Sequence, residues 1–300
     1  MTCHDPMFGT SDGLSMSIGT GGTGTGPNRT IGEHRRRQAR NAPSLYNAGW
    51  PEHHALLWDG GAARDGSGFV PPEEAEQAYP ADVENLVAAV AMFHVSQRFD
   101  MRGNPGDVDI YGQPNEVAAV DEDNWTGIWD TVQRRLEATP PYPALLDAAF
   151  PGTSPASRTF AMSMNALGDY VAATFDVRHT RWDAFVAGDD AALSTEELAG
   201  AALFVGEAGC ARCHNGPLLA DGQYHNIGVP FVGLGQEYEE PYDFGRGSQT
   251  GVTTERYAFR TPGLRRVTGS GPWMHNGAFT RLDAAVRHHL DVTASVRDYD

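Results

Sequence analysis

The sequence predicts a mainly α fold with long connecting loops. Apolar residues recur at helical spacing in several windows, and strand-like alternation is scarce and short. Gly and Pro are abundant, 35 and 19 of 300 residues, so much of the chain is loop. Hydrophobic residues at 40% and charged residues at 20% suffice to bury a core, in one large domain or two ordinary ones.

The first 50 residues read as irregular. The run G-T-G-G-T-G-T-G at Gly19–Gly26 has no lysine after it, and the chain contains no lysine anywhere, so it is no phosphate loop. No strand precedes it, as a dinucleotide fingerprint would need. Val83, Leu86, Val87, Val90 and Phe93, with His94 beside them, predict a helix over Ala81–Arg98. Trp125, Ile128, Trp129, Val132 and Leu136 predict a second over Trp125–Ala138. A short third covers Ala144–Phe150, and Ser157–Val177 is a longer fourth. Ser194-Thr195-Glu196-Glu197 is a capping box that opens a helix through Phe204. Leu282–Leu290 is a last amphipathic helix, and a strand signal lies at Tyr257–Phe259. Long loops are expected at Gly60–Pro80, Asp100–Asp123 and Asn215–Gly277; a loop as long as the last wraps something or carries function. The chain divides near 155/156, or within the Asp183–Ser194 linker.

Acids outnumber bases 39 to 22, for a net charge of −17. That argues against nucleic acid or an anionic membrane surface as partner. No apolar run approaches the roughly 20 residues of a membrane span. The start M-T-C-H-D-P has no apolar signal segment. Three cysteines make no disulfide framework.

Cys210-Ala211-Arg212-Cys213-His214 is C-x-x-C-H, the attachment signature of c-type haem. Two thiols on one turn reach both vinyl groups, and the adjacent histidine supplies the proximal iron ligand. A thioredoxin-type motif would need a βαβ context, and a zinc site more Cys or His at matching spacing. C-H-D-P at Cys3-His4 echoes C-H-N-G at Cys213-His214. It reads as the tail of a second C-x-x-C-H with Met1 and Thr2 as spacers. The expectation is a fragment, with a further cysteine before Met1 and an export signal upstream, because c-type haem is attached outside the bacterial cytoplasm; a misplaced start and a haem held by one thioether are the alternatives.

These motifs, with R-N-A-P-S-L-Y-N at Arg40–Asn47, L-W-D-G at Leu57–Gly60, P-N-E-V at Pro114–Val117 and D-A-A-F-P-G at Asp147–Gly152, give the chain a resemblance to a known family. D-G-Q-Y-H-N-I-G at Asp221–Gly228, F-R-T-P-G-L-R at Phe259–Arg265 and P-W-M-H-N-G at Pro272–Gly277 extend it over nearly the whole chain. The sequence resembles the bacterial di-haem cytochrome c peroxidases, the MauG-like branch included.

The resemblance implies two cytochrome-c-like haem domains, an N-terminal peroxidatic one over 1–155 and a C-terminal electron-transfer one over 156–300. It implies two haem c groups, a calcium ion and a bridging tryptophan between them. His4 and His214 match the proximal ligands, and Trp58 the bridge. Fourteen residues on from His275, His289 falls where relatives carry Met or Tyr, implying a bis-His iron of lowered potential. His288 is the register-slip alternative, and Met274 lies out of place. Asn41, with the carbonyls of Ser270 and Pro272, matches the calcium site, an all-oxygen set suited to a hard cation.

On the distal side of the first haem, Glu116 in Pro114-Asn115-Glu116 matches the family glutamate and Gln77 the family glutamine. His34 matches a displaceable histidine in some relatives. His94 reads as a core or propionate-contacting residue, and Glu84 is the reserve base. The implied reaction is reduction of hydrogen peroxide to water with electrons from a cytochrome or cupredoxin. A MauG-like oxidant of a protein side chain and a plain di-haem electron carrier are the alternatives. The resemblance implies a periplasmic or otherwise exported oxidoreductase, and a homodimer is possible.

Overall fold

A computed structural model describes residues 2–66, 68–73, 75, 77–233 and 242–299. Helices dominate, and the strands are short. Helix α1 (Leu86–Ser96) opens at Asn85, whose side chain accepts from Ala88 N at 2.8 Å. Leu86–Ala89, Met92, Phe93, Val95 and Ser96 are buried on all its sides, so α1 is a core helix rather than an amphipathic surface one. It stops sooner than the Ala81–Arg98 window predicts, and a π turn at Arg98–Arg102 follows.

Helix α2 (Trp125–Ala138) has the expected limits, capped by Asn124, and buries Trp125, Ile128 and Trp129 along one stripe. Helix α3 is Tyr142–Ala149 and α4 is Phe160–Thr174, capped by Thr159. α1, α2 and α4 pack around Met92, Phe93, Trp125, Ile128, Trp129 and Phe160. Phe160 and Ala161 thus belong to the first core, beyond the division expected at 155/156.

Helix α5 (Arg181–Val186) was not foreseen; its six residues are too few for a periodic signal. The Ser194 capping box opens α6 (Thr195–Val205). Helices α7 (Arg246–Thr250), α8 (Leu282–Leu290) and α9 (Val292–Arg297) complete the set. α8 has the expected limits, while α7 and α9 are again too short to read. A separate cluster of Ala278, Phe279 and Ala285 with Trp273 and Tyr299 forms a second core around α8.

Part of the loop expected at Gly60–Pro80 is sheet. β1 (Ala55–Leu56), β2 (Ala62–Asp65) and β3 (Gly68–Val70) run antiparallel, with Arg64 opposite Phe69. β4 (Tyr224–His225) pairs with β5 (Phe259–Arg260), where a strand was expected. Residues 234–241 of the long Asn215–Gly277 loop lie outside the described residues.

The irregular N-terminal segment packs against the C-terminal half. Asn41 N donates to His275 O at 2.7 Å and Ser15 Oγ to Gly277 O at 3.0 Å. Gly9 sits at φ +63°, and a Cβ there would stand 2.4 Å from Gly269 O, so only glycine fits. Among the described residues, no helix is long and apolar enough to cross a membrane.

Candidate functional site

The two Cys-His motifs share a local design. After His4, Asp5 caps a 3-10 turn at Pro6–Phe8, and the chain returns so that His4 Nδ1 donates to Thr10 O at 3.0 Å. After His214, Nδ1 donates to Leu219 O at 3.0 Å. An imidazole so tied presents Nε2 as the metal-binding nitrogen, with its tautomer fixed. Desolvation pushes His4 down to about 4, against the carbonyls of Thr10 and Pro43. His214 is lowered by the same cause, with Leu219 and Pro262 opposing. Both rings are thus neutral near pH 7, as ligation requires. Pro43 in R-N-A-P-S-L and Pro262 in R-T-P-G-L stand beside equivalent rings, an internal echo that sequence reading missed.

Cys210 and Cys213 lie on one tight turn, with Cys213 N and His214 N both donating to Cys210 O. The donors fit a covalently held haem: two thiols on one turn, one neutral imidazole beside them. Asp221 and His225 also approach, their ligand atoms and Cys213 Sγ all within 4.8 Å of one another. His225 Nε2 is bonded to Asp221 at 2.8 Å.

His289 faces His214, with ring centroids 6.4 Å apart and planes at 63°. Its Nδ1 donates to Ala285 O at 2.8 Å, so Nε2 is again the available nitrogen. His288 is wholly buried, and both its nitrogens are engaged, Nδ1 with Ser295 Oγ at 3.0 Å and Nε2 with Ile227 O at 2.9 Å. One helical step separates a structural histidine from one aimed at the motif. His4 has no such facing ring among the described residues.

A cavity lies between the halves. His4, Asn41, Trp58, Val87, Val90 and His94 line it from one side, and Leu218, Arg260, Pro262, Arg265, Trp273 and Met274 from the other. Trp58 Nε1 donates to Asn41 O at 2.8 Å. Asn41 is buried; its Nδ2 donates to Leu14 O at 2.7 Å and approaches Pro272 O at 3.4 Å. Ser270 and Pro272 line the same cavity. Asn41 and Pro272 therefore meet, but with the amide nitrogen forward. Calcium needs Oδ1 there, which a rotation about χ2 supplies.

The distal assignments fare differently. Glu116 is held by Arg135 through two hydrogen bonds of 2.9 and 2.8 Å, with half its side chain exposed, and does not line the cavity. Its carboxyl is lowered chiefly by the bond from Arg135. Gln77 Oε1 accepts from Thr126 N and Oγ1 at 2.9 and 3.0 Å, so it braces the start of α2. His34 is exposed in the left-handed region at φ +55°. These three are not among the residues that line this cavity; a bridge between Val108 and Pro114, inside the loop expected at Asp100–Asp123, closes the hairpin that leads into Glu116.

His94 does line the cavity, its Nδ1 donating to Asp100 at 2.8 Å. His53, unremarked in the sequence, lines it too and is lowered to about 4 by burial and then by Arg260. His275 is buried, stacked on Phe259 at 3.5 Å and 9°, and held down to about 3 by desolvation.

Beneath the cavity, Arg40 bonds Asp59 at 2.7 Å and Asp243 at 2.6 and 2.8 Å. Burial opposes its charge, but the two carboxylates win and raise its pKa above the ordinary value.

A helical chain with two Cys-His turns, one of them faced by a second imidazole, has the fold and ligands of a multi-haem c-type protein. The sequence profile of the di-haem cytochrome c peroxidases matches residues 1–191, and the chain belongs to that family. It is 28% identical over 291 residues to "Methylamine utilization protein MauG" of Methylorubrum extorquens, covering 96% of this chain and 62% of the relative. It is 26% identical to "Cytochrome-c peroxidase IdrP2" of Denitromonas iodatirespirans, over 95% of this chain and 66% of the relative. The chain thus spans just under two thirds of these relatives. Two solved structures share the fold. A MauG-like protein associated with microbial copper homeostasis superposes at TM-score 0.63 and 23% identity, covering 95% of this chain and 68% of that one. The diheme peroxidase BthA from Burkholderia thailandensis does so at 0.59 and 21%, covering 95% and 65%.

Proposed function

We propose that this protein is a di-haem peroxidase that reduces hydrogen peroxide to water, drawing electrons from a cytochrome or cupredoxin through its C-terminal haem. One observation carries the reading: the two Cys-His sites are unequal. His214 has His289 opposite it, whereas His4 has no facing ring among the described residues. Two imidazoles at one site would suit a haem that relays electrons, and a lone imidazole at the other would suit a haem that meets peroxide.

His4 with Cys3, and His214 with Cys210, Cys213 and His289, would hold the two haems. The haems supply the redox equivalents that cleave the O–O bond. The chain's own residues do the rest. His94, oriented by Asp100, takes the peroxide proton and returns it to the departing oxygen, in place of Glu116. Trp58 lies in the shared cavity wall as the bridge between halves. Asn41, Ser270 and Pro272 would hold calcium across that junction. We draw the division between the halves within 183–194, since α4 packs in the first core. We also propose export to the periplasm.

A haem-content assay on exported protein tests the cofactor reading; two haems per chain are expected and one refutes it. Stopped-flow mixing with peroxide then tests the reaction. A chain that binds two haems yet leaves peroxide untouched is an electron carrier.

A further inference from the structure

The π turn at Arg98–Arg102 follows the end of α1 and carries Asp100, the residue that orients His94. Such turns are rare and gather at functional sites. This one holds an uncompensated charge. The Arg102 side chain is wholly buried, and none of its three guanidinium nitrogens has a hydrogen-bond partner among the described residues. Its ion pair among those residues is with Glu122, at 3.8 Å. Arg98, four residues back on the same turn, donates to the same carboxylate at 3.4 and 3.3 Å. Glu122 is itself 72% exposed and lies in the loop that leads into α2. A single surface carboxylate thus answers two guanidiniums, one of them deep in the fold.

We propose that Glu122 is a positioning residue for the peroxide reaction, holding the π turn in the form that keeps Asp100 against His94. The inference rests on the peroxidase reading above, with His94 as its proton carrier. Glu122 does not line the cavity and acts only through the turn.

The electrostatics support this role. Desolvation lowers Arg102, the like charge of Arg98 lowers it further, and Glu122 opposes both. The hydrogen bond from Arg98 is the largest influence on Glu122 and holds its carboxyl below the ordinary range. A buried cation that loses its counter-charge must reach water or find another anion. The backbone of the turn has anchors of its own: Thr20 N donates to Asp100 O at 2.9 Å, and Arg102 N to Gln97 O at 3.1 Å. Side chains therefore adjust first. Asp100, two residues from each arginine, is the nearest acid along the chain. Without Glu122 its carboxylate turns to the guanidiniums and leaves His94 Nδ1 without its partner. A proton carrier displaced by about 1 Å loses up to about 10²-fold in rate.

The test mixes the di-haem holoprotein with peroxide in stopped flow. No reaction in the parent overturns the peroxidase reading, and this role with it. His94→Gln reacting at the parent rate removes the proton carrier, and again this role with it. Given a slow His94→Gln, Glu122→Gln should slow the reaction by about 10–10²-fold. Glu122→Asp keeps the charge on a stem one methylene shorter and should recover most of the rate. Glu122→Gln with Arg102→Met removes the buried charge together with its counter-charge and should recover it too. In a His94→Gln background, Glu122→Gln should add nothing, whereas a merely destabilising change would slow both backgrounds alike. A crystal structure of Glu122→Gln should show Asp100 turned away from His94. The role is refuted, and the peroxidase reading stands, if Glu122→Gln reacts at the parent rate. Equal slowing in both backgrounds, or a His94–Asp100 bond kept at 2.8 Å in the variant, refutes it as well. Should Glu122→Gln fail to fold, the double variant with Arg102→Met carries the test: folded and as fast as the parent supports the role, and folded but as slow as His94→Gln refutes it.

Discussion

Glu116 and His94 differ in what already holds them. A carboxylate clasped by Arg135 at 2.8 Å is stabilised in its charged form and is a weak proton acceptor, besides standing outside the cavity. His94 lines the cavity and has one nitrogen committed to Asp100, which leaves the other for proton exchange. His94→Gln should therefore slow the peroxide reaction by about 10²–10⁴-fold while haem content is kept. Glu116→Gln should react at the parent rate, and stopped-flow mixing of the two variants with peroxide checks both. The buried histidines make a second expectation. Desolvation keeps His275 neutral down to about 3 in the folded chain, whereas the unfolded chain binds a proton near the ordinary value of 6.5. Between those values the unfolded state holds the extra proton, so stability is full above 6.5 and falls as pH drops toward 3. His275→Gln, stacking less well on Phe259, should be less stable at pH 7 but lose less on going to pH 4.5. Denaturant midpoints at the two pH values measure the difference.

Helix α8 shows what one residue of register decides. His288 and His289 both sit in its last turn, and a step of about 100° sends them to different neighbours. His289→Ala should convert the C-terminal iron from low to high spin and raise its potential, because the second nitrogen donor is gone. His288→Ala should leave the spin state alone but cost about 2–4 kcal/mol, from two lost buried hydrogen bonds and the space left behind. Ferric absorption spectra and urea unfolding separate the two effects. The amphipathic period of Leu282–Leu290 made this helix legible, and the same holds for Trp125–Ala138, whose tryptophans mark one stripe. α1 was placed but drawn too long, since burial on every side leaves no polar face to mark its ends. The β2–β3 pair leaves no strand signal in the sequence, because three or four residues a side carry too little alternation to stand out. His4 and His214 stand out in the sequence as Cys-His pairs, since a short motif fixes local spacing. The place of His94 does not, because it reaches the cavity through the packing of α1, and no short motif encodes that.

Across the whole molecule, Arg40 is a charge that joins the halves, beside Arg246 and Arg260, which donate to the carbonyls of Asp59, Gly60 and Leu57. It reaches Asp59 nineteen residues on and Asp243 more than two hundred residues away, all three well shielded from solvent. Burial pushes Asp243 upward, but the charge and hydrogen bonds of Arg40 and the Gly245 N–H overcome it and hold the carboxyl below its ordinary range. The Asn41–Pro272 approach lies at the same junction, so Asn41→Ala should lower calcium content and loosen the same contact, which metal analysis of the purified protein checks. The ion network is a stronger link than the Asn41–Pro272 approach. Removing one partner leaves a buried guanidinium short of acceptors, and such losses run to about 3–5 kcal/mol. Asp243→Ala should cost that much, and Asp243→Asn less, because an amide oxygen still accepts from Gly245 N. The manner of unfolding is the more telling readout. The first core gathers around α1, α2 and α4 and the second around α8, with few apolar side chains shared between them. If Arg40 couples them, the parent unfolds in one transition by far-UV circular dichroism and by tryptophan fluorescence alike. Asp243→Ala should then split that transition, the second core melting at lower denaturant than the tryptophan-rich first. An unchanged single midpoint in Asp243→Ala would show that the halves are held by the cavity walls and their cofactors rather than by this charge.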